Sequence, residues 1–377
     1  MLSALSLILY KEFHVSPFIL TFLVALKPVS ALFSTYLSSW IYNGKKNLVC
    51  SLALINCLRF VPFLGLFWHT SPWTLVFAFG WYMVLSRACA PAWIELFKHN
   101  LPQEHRSKIL SLGNMLEYLG STLLPLLLGV VLDIWDQSWQ LLFPLTAVFG
   151  MLSTIFLFRI PPHLNLLKDN ENDPLTRPWR RAFKLIREYP DFRRYLLGFM
   201  LGGSGLMILQ PALPALFVDH LHLSYTEIML ALAVCKGIGY TLASPLWTRL
   251  FNRLNLFTFS AFVTILAVIF PLLIFFANWS LVALYLAYLS YGMMQAGSEM
   301  SWHLSALTFS REKESLPFSE TNILAVGLRG CVIPLLGGIL VVNCSIVVVL
   351  LCSFLLCTAG MIVLAKTPSS LANAASE

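Results

Sequence analysis

Long apolar runs constrain the fold of this chain more than any other feature of its sequence. Stretches of roughly 20 apolar residues, enough to cross a hydrocarbon core about 30 Å thick, recur from end to end. Hydrophobic residues make up 58% of the chain and charged residues only 11%, which is too little charge for a surface that faces water all round. We therefore predict an all-α polytopic membrane protein, because a helix satisfies its own backbone hydrogen bonds within lipid.

The apolar runs predict eleven full spans. They are Pro17–Tyr42, Asn47–Trp68, Trp73–Phe97, Ile109–Leu132, Trp139–Leu157, Tyr195–Val218, Glu227–Phe251, Leu256–Ala277, Leu281–Leu304, Asn322–Val342 and Ser345–Leu364. The opening stretch MLSALSLILY is apolar but too short to span, and it lacks the basic flank and cleavage site of a signal peptide. We expect it to be the end of a helix.

The basic residues predict the orientation of these spans. Most of the 25 Lys and Arg residues fall on one alternating set of loops and ends, whereas Lys11 lies on the opposite set. The positive-inside rule then places in the cytoplasm a central loop, 159–194, with an amphipathic segment, and a tail, 367–377. The net charge of +7 therefore reflects basic residues on the loops that we predict to be cytoplasmic. We expect the lipid bilayer, and not nucleic acid, to be the partner of these residues.

An internal repeat relates the two halves of the chain. Rare residues align at one constant offset: Lys27 with Lys236, Asn43 with Asn252, Trp93 with Trp302, and Gly129 with Gly338; one residue off this register, His14 aligns with His222. We predict a tandem duplication with helix bundles over 1–158 and 195–366, related by an axis along the membrane normal. On this alignment, we expect residues 1–9 to be the outer end of a first helix, with either a start codon placed too late or a natural truncation accounting for the rest of it.

These features resemble the major facilitator superfamily over essentially the whole chain. The loop NGKK (Asn43, Lys45, Lys46) keeps the glycine and basic character of the family signature G-x-x-x-D-R-x-G-R-R, and Asn252 and Arg253 occupy its Asp and Arg positions in the second half. Arg87 of RACAPAW matches the arginine of the fourth-helix signature, and PLLGG, 334–338, resembles the fifth-helix antiporter pattern. The resemblance implies two six-helix bundles, a central cavity, alternating access, and the two loops as gating elements.

Charges inside the spans are the candidate site residues. A charge at the centre of a bilayer costs on the order of 3 kcal/mol, so it persists mainly where it faces a cavity or a partner. We predict that Lys27 and Lys236 face each other across the cavity and attract a small anionic or zwitterionic solute, assisted by Arg329 and Arg87. Glu117 or Glu299 would couple transport to protons, because burial disfavours a charged carboxylate.

Other readings of the same charges stay open. Arg329 with Glu117, or Arg87 with Glu299, could instead form buried ion pairs that hold one conformation. The protein could also be an efflux antiporter for amphiphilic compounds, as PLLGG and the 14% aromatic content suggest, or a non-transporting scaffold or sensor. We predict no enzyme, cofactor or metal site, since no nucleotide-binding or hydrolase motif is present and the eight cysteines are read as small hydrophobes. The predicted protein is a monomeric permease of a bacterial-type inner membrane.

Overall fold

The structure is a computed structural model that describes residues 2–43, 48–66, 71–100, 116, 120, 123–124, 126–135, 138–160, 177–310 and 316–366. Within these residues every regular element is helical. The helices are α1 (Leu2–Phe13), α2 (Pro17–Asn43), α3 (Leu48–Leu58), α4 (Val61–Gly65), α5 (Pro72–Asn100), α6 (Trp139–Ser153), α7 (Arg177–Glu188), α8 (Pro190–Leu209), α9 (Tyr225–Met229), α10 (Lys236–Phe251), α11 (Leu256–Phe276), α12 (Leu281–Ser310), α13 (Leu316–Asn343) and α14 (Ile346–Ala365).

Contacts divide the chain into two compact units. The first contains Met1–Val15 and Ala25–Asn172, and the second contains Ser16–Val24 and Asp173–Glu377. By length and composition, five helices of the described residues could cross a membrane. A sixth is possible if Pro190–Leu209 and Leu213–His220, which meet at a 43° bend, form one span. The all-α class is therefore confirmed, whereas the number of eleven spans stays a prediction.

The same unusual turn occurs at the two histidines that match one residue off the register of the internal repeat. His14 and His222 both have positive φ, 48° and 50°, a left-handed conformation that commonly ends a helix. After each histidine, an amide bonds to a carbonyl six residues earlier: Val15 N to Leu9 O at 3.4 Å, and Leu223 N to Phe217 O at 2.9 Å. Since non-glycine residues seldom adopt this conformation, its recurrence at matched positions supports the duplication.

The predicted span Asn47–Trp68 is broken into α3 and α4. Pro62 lies in the first turn of α4 and has no N–H to bond to the carbonyl of Leu58. The indole Nε1 of Trp81 donates to that carbonyl instead, at 2.9 Å. Nearby, the guanidinium carbon of Arg59 lies 4.8 Å from the centroid of the Phe60 ring.

Glycines set the helix spacing in the second unit. A Cβ on Gly239 would collide with the Leu289 carbonyl, and one on Gly292 would collide with the Lys236 carbonyl, so α10 and α12 cross backbone to backbone. Gly205 of α8 is equally close to the backbone of Ser353 in α14. These approaches bring polar side chains from neighbouring helices within hydrogen-bonding reach.

Candidate functional site

A cavity of about 210 Å³ lies among α8, α11, α12 and α13 of the second unit. Its lining is mixed. Apolar and glycine residues from α8 form part of the wall, and the polar lining includes Gln210, Ser260, Tyr291, Gln295, Glu299 and Arg329. Two of the sequence-predicted site residues, Arg329 and Glu299, are therefore brought to one cavity.

Arg329 is held at the cavity by the α8 backbone. Its Nη1 donates to the Phe199 carbonyl at 3.1 Å, and its guanidinium carbon lies 5.9 Å from the centroid of the Phe199 ring. A Cβ on Gly203 would collide with Nη1, so glycine at this position leaves room for the guanidinium. The Nε of Arg329 is buried and has no hydrogen-bond partner among the described residues. The side chain is thus fixed but keeps unused donors.

Glu299 is held by two uncharged donors. The Tyr240 hydroxyl donates to Oε2 at 2.6 Å, and the Gln295 amide donates to Oε1 at 2.9 Å. Tyr240 reaches across from α10 because Gly239 and Gly292 let that helix approach α12 closely. Both carboxylate oxygens therefore have a fixed orientation, while the side chain remains exposed to the cavity.

Tyr291 lines the same cavity as the two charged groups. The Nζ of Lys236 lies 5.2 Å from the centroid of its ring. Lys236 itself is not part of the cavity lining described above. Lys236 therefore lies against the aromatic ring that lines the cavity, and its predicted role in solute binding stays a prediction.

A network of buried hydroxyl groups adjoins the cavity. The Tyr195 hydroxyl lies 2.9 Å from the hydroxyl of Ser301, which in turn lies 2.5 Å from the hydroxyl of Ser260. Tyr195 is 1% exposed and Ser301 is 1% exposed, so these bonds replace water that the hydroxyl groups cannot reach. The network joins α8, α11 and α12 at the wall of the cavity.

The remaining predicted residues lie elsewhere or outside the described residues. Lys27, next to Pro28 in α2, and Arg87 in α5 are exposed and belong to the first unit. Asn252 and Arg253 are exposed at the end of α10, and Asn43 ends α2. Glu117, Lys45 and Lys46 lie outside the described residues. The roles predicted for all these residues stay predictions.

Sequence reasoning missed Tyr240, Tyr291, Gln295 and Gln210. A signal existed for part of this set, because Tyr291, Gln295 and Glu299 follow one another at i, i+4 and i+8 and so share one face of an apolar helix. Tyr240 and Gln210 carry no such signal. Among the residues that the structure describes, no group of three His, Cys, Asp or Glu side chains could hold a metal ion.

The apolar helices and the polar cavity define a multi-pass integral membrane protein with the fold of a solute transporter. The Major Facilitator Superfamily profile matches residues 1–315. Because that match covers most of the chain, the protein belongs to this family, which confirms the resemblance and indicates a transporter and not an enzyme. No curated protein sequence matches the chain.

Solved transporters share the fold at low sequence identity. A bacterial homologue of the human lysosomal transporter Spinster, inward-facing and unoccupied, is 15% identical with a TM-score of 0.63, over 97% of this chain and 89% of that chain. A mutant of the nucleoside transporter NupG is 12% identical with a TM-score of 0.75, over 96% and 94%. A POT family transporter in complex with 5-aminolevulinic acid is 12% identical with a TM-score of 0.73, over 96% and 91%.

Proposed function

We propose that this protein is a proton-coupled secondary transporter for a small anionic or zwitterionic solute, working as a monomer by alternating access. The observation that carries the proposal is the cavity of the second unit, which presents both Arg329 and Glu299. A fixed cation with unused donors suits the carboxylate or phosphate of a solute. No nucleotide-binding motif is visible in the sequence, so an ion gradient is the simplest energy source.

Glu299 and Gln295 together suit a protonation switch. An ionised Glu299 carboxylate can only accept hydrogen bonds, and it accepts two here, from the Tyr240 hydroxyl and the Gln295 amide. Once protonated, it must donate one bond. The Oε1 of Gln295 is buried and has no hydrogen-bond partner within the described part of the chain, so rotating this amide would offer the acceptor that a carboxylic acid needs. The pair therefore has one bonding arrangement for each protonation state.

The membrane setting completes the proposal. We place the central loop and the C-terminal tail in the cytoplasm and the protein in a bacterial-type inner membrane, on the distribution of basic residues. The exposed face of α7 fits this orientation, because Arg180, Arg181 and Arg187 are all exposed there and would lie near the anionic headgroups of the inner leaflet.

Proton-coupled uptake can be tested in proteoliposomes that contain a pH-sensitive dye. We expect external amino acids, dipeptides or organic acids to acidify the lumen for at least one compound. Glu299→Gln cannot release a proton, so it should abolish this acidification while solute exchange continues at equal, saturating concentrations on the two sides. Glu188→Gln, an exposed substitution on α7, is the matched control and should behave as the parent. Solute-driven acidification that persists in Glu299→Gln would refute the coupling role.

Efflux of amphiphilic compounds is a second candidate, favoured by the apolar part of the lining. Phe199, Leu206, Met207 and Met294 contribute to the cavity, and methionine adapts to irregular apolar ligands. The PLLGG motif has a packing role in the structure, since Gly337 contacts the Ile208 backbone and Gly338 contacts Thr21. Increased sensitivity to several unrelated amphiphiles on deletion of the gene, without a defect in uptake of small polar solutes, would favour efflux.

A further inference from the structure

Arg329 and Glu299 line one cavity without pairing with each other. Neither makes an ion pair within the described part of the second unit, and all the hydrogen bonds of Glu299 come from uncharged groups. We propose that this cavity binds one zwitterionic solute by its two ends, the carboxylate on Arg329 and the ammonium on Glu299. The inference rests on the proposed function and narrows its substrate class.

The Arg329 end suits a carboxylate. An arginine has five N–H donors in a planar fork, and one of them, on Nη1, is used by the Phe199 carbonyl. The Nη2 group makes no hydrogen bond among the described residues and, unlike Nε, is not buried, so a carboxylate in the cavity can accept a bond from it. The Phe199 ring and the space left by Gly203 hold the fork in place before a solute arrives, which reduces the entropy lost on binding.

The Glu299 end suits an ammonium group. Each carboxylate oxygen has about two lone pairs, and each accepts one hydrogen bond here, from Tyr240 or from Gln295. Each oxygen can therefore accept a further bond from an ammonium. Because Tyr240 and Gln295 are neutral, they orient the carboxylate but leave its charge unbalanced within the described part of the second unit.

The charge balance favours a zwitterion over a simple anion. A monoanion on Arg329 would leave the Glu299 carboxylate uncompensated in the same cavity, and a monocation on Glu299 would leave Arg329 uncompensated. A solute with a single charge would therefore pair with only one of the two groups. A zwitterion balances both groups at once. Lys236 lies against the Tyr291 ring and is not part of the cavity lining.

The cavity has room for a small solute. Its volume of about 210 Å³ lies below the roughly 300–1,000 Å³ of pockets for drug-sized ligands. Amino acids and short ω-amino acids are small enough to be tested as its ligands.

The inference is tested by binding to the purified full-length protein in nanodiscs. The probes are glycine, β-alanine, γ-aminobutyrate, δ-aminovalerate and diglycine, each compared with the alkanoate and the alkylamine of matching length. Isothermal titration calorimetry measures Kd. We expect at least one zwitterion to bind about 10- to 100-fold more tightly than its matched acid and its matched amine, as a lost hydrogen bond to a charged group implies.

Substitutions then assign the two ends. Arg329→Gln should weaken zwitterion binding by about 10- to 100-fold and leave binding of the matched alkylamine unchanged. Glu299→Gln should weaken zwitterion binding by a similar factor and leave binding of the matched alkanoate unchanged. Arg193→Gln and Glu188→Gln, both exposed, are matched controls that should change nothing. Should Arg329→Gln fold poorly by size-exclusion chromatography, Arg329→Lys keeps the charge without the fork and should show an intermediate loss.

The outcomes separate this inference from the proposed function. If no zwitterion binds, or if an acid binds as tightly as its zwitterion and Glu299→Gln has no effect, the two-ended site is refuted. Proton-coupled transport of a simple anion would then still support the proposed function. Conversely, zwitterion binding with the expected pattern of substitutions, but without any transport in proteoliposomes, would support the site and refute transport.

Discussion

Gly203→Ala tests whether the placement of the Arg329 guanidinium governs solute binding. The added Cβ would lie 2.5 Å from the guanidinium carbon of Arg329 and closer still to Nη1. The side chain must therefore move, which breaks the 3.1 Å bond to the Phe199 carbonyl. A hydrogen bond to a charged group contributes about 1.5–3 kcal/mol. A displaced Arg329 guanidinium would also lose a hydrogen bond of similar strength to the carboxylate of the solute. We therefore expect Gly203→Ala to weaken the binding free energy by about 2 kcal/mol, which corresponds to a roughly 30-fold higher Kd.

The assay is calorimetric titration of the tightest-binding zwitterion, with the midpoint of thermal unfolding recorded alongside. Gly65→Ala is the matched control, since a Cβ at Gly65 meets no atom within 4 Å, and it should leave Kd unchanged. Gly202→Ala is a graded comparison on the same helix, because its Cβ would meet the Thr264 methyl at 3.1 Å and a small shift relieves that contact. If Gly203→Ala binds within about twofold of the parent, the position of Arg329 does not control affinity, and the argument from this geometry is wrong.

Three further predictions concern stability, each measured by thermal unfolding in detergent. Tyr195→Phe removes the buried hydroxyl 2.9 Å from Ser301 and should lower the free energy of unfolding by about 1–2 kcal/mol; an unchanged midpoint would mean that the network does not stabilise the fold. His14→Gly and His222→Gly relieve the left-handed backbone at 48° and 50° and should each stabilise by about 0.5–1 kcal/mol, whereas destabilisation by both would show that the imidazoles matter more than φ. Gly360→Val would push a Cβ to within 2.5 Å of the Gly202 amide nitrogen and should cost about 3 kcal/mol; a normal yield of folded protein would contradict the close crossing of α8 and α14.

The sequence predicted the fold class because the properties that define it are local. Apolar runs of spanning length can be read without knowing any contact, and the repeat was visible in a few rare residues. The turn at His14 and His222 shows what lies beyond such reading. The match between the two histidines was evident in the sequence, but their shared positive φ depends on how each helix ends, and only the structure reveals it.

The site was predictable in its charges but not in its partners. Arg329 and Glu299 stand out because charge is rare inside apolar spans, and the structure places both on one cavity. The Phe199 carbonyl and the Tyr240 hydroxyl that hold them were not predictable, since backbone carbonyls and tyrosines are common in such a sequence. Which of them reaches a charged group depends on where α10 and α12 cross, and that crossing is set by Gly239 and Gly292.

The separation of these two charges carries the functional argument. A cation and an anion whose role was only to neutralise each other would lie within ion-pair distance, because an ion left without a partner at low dielectric is unfavourable. Here each charge is instead oriented by neutral groups, Arg329 by the Phe199 carbonyl and Glu299 by Tyr240 and Gln295. Neutral partners fix direction without cancelling charge. A cavity arranged in this way keeps electrostatic free energy available for a ligand that must bind and then leave, which is what a transport cycle requires.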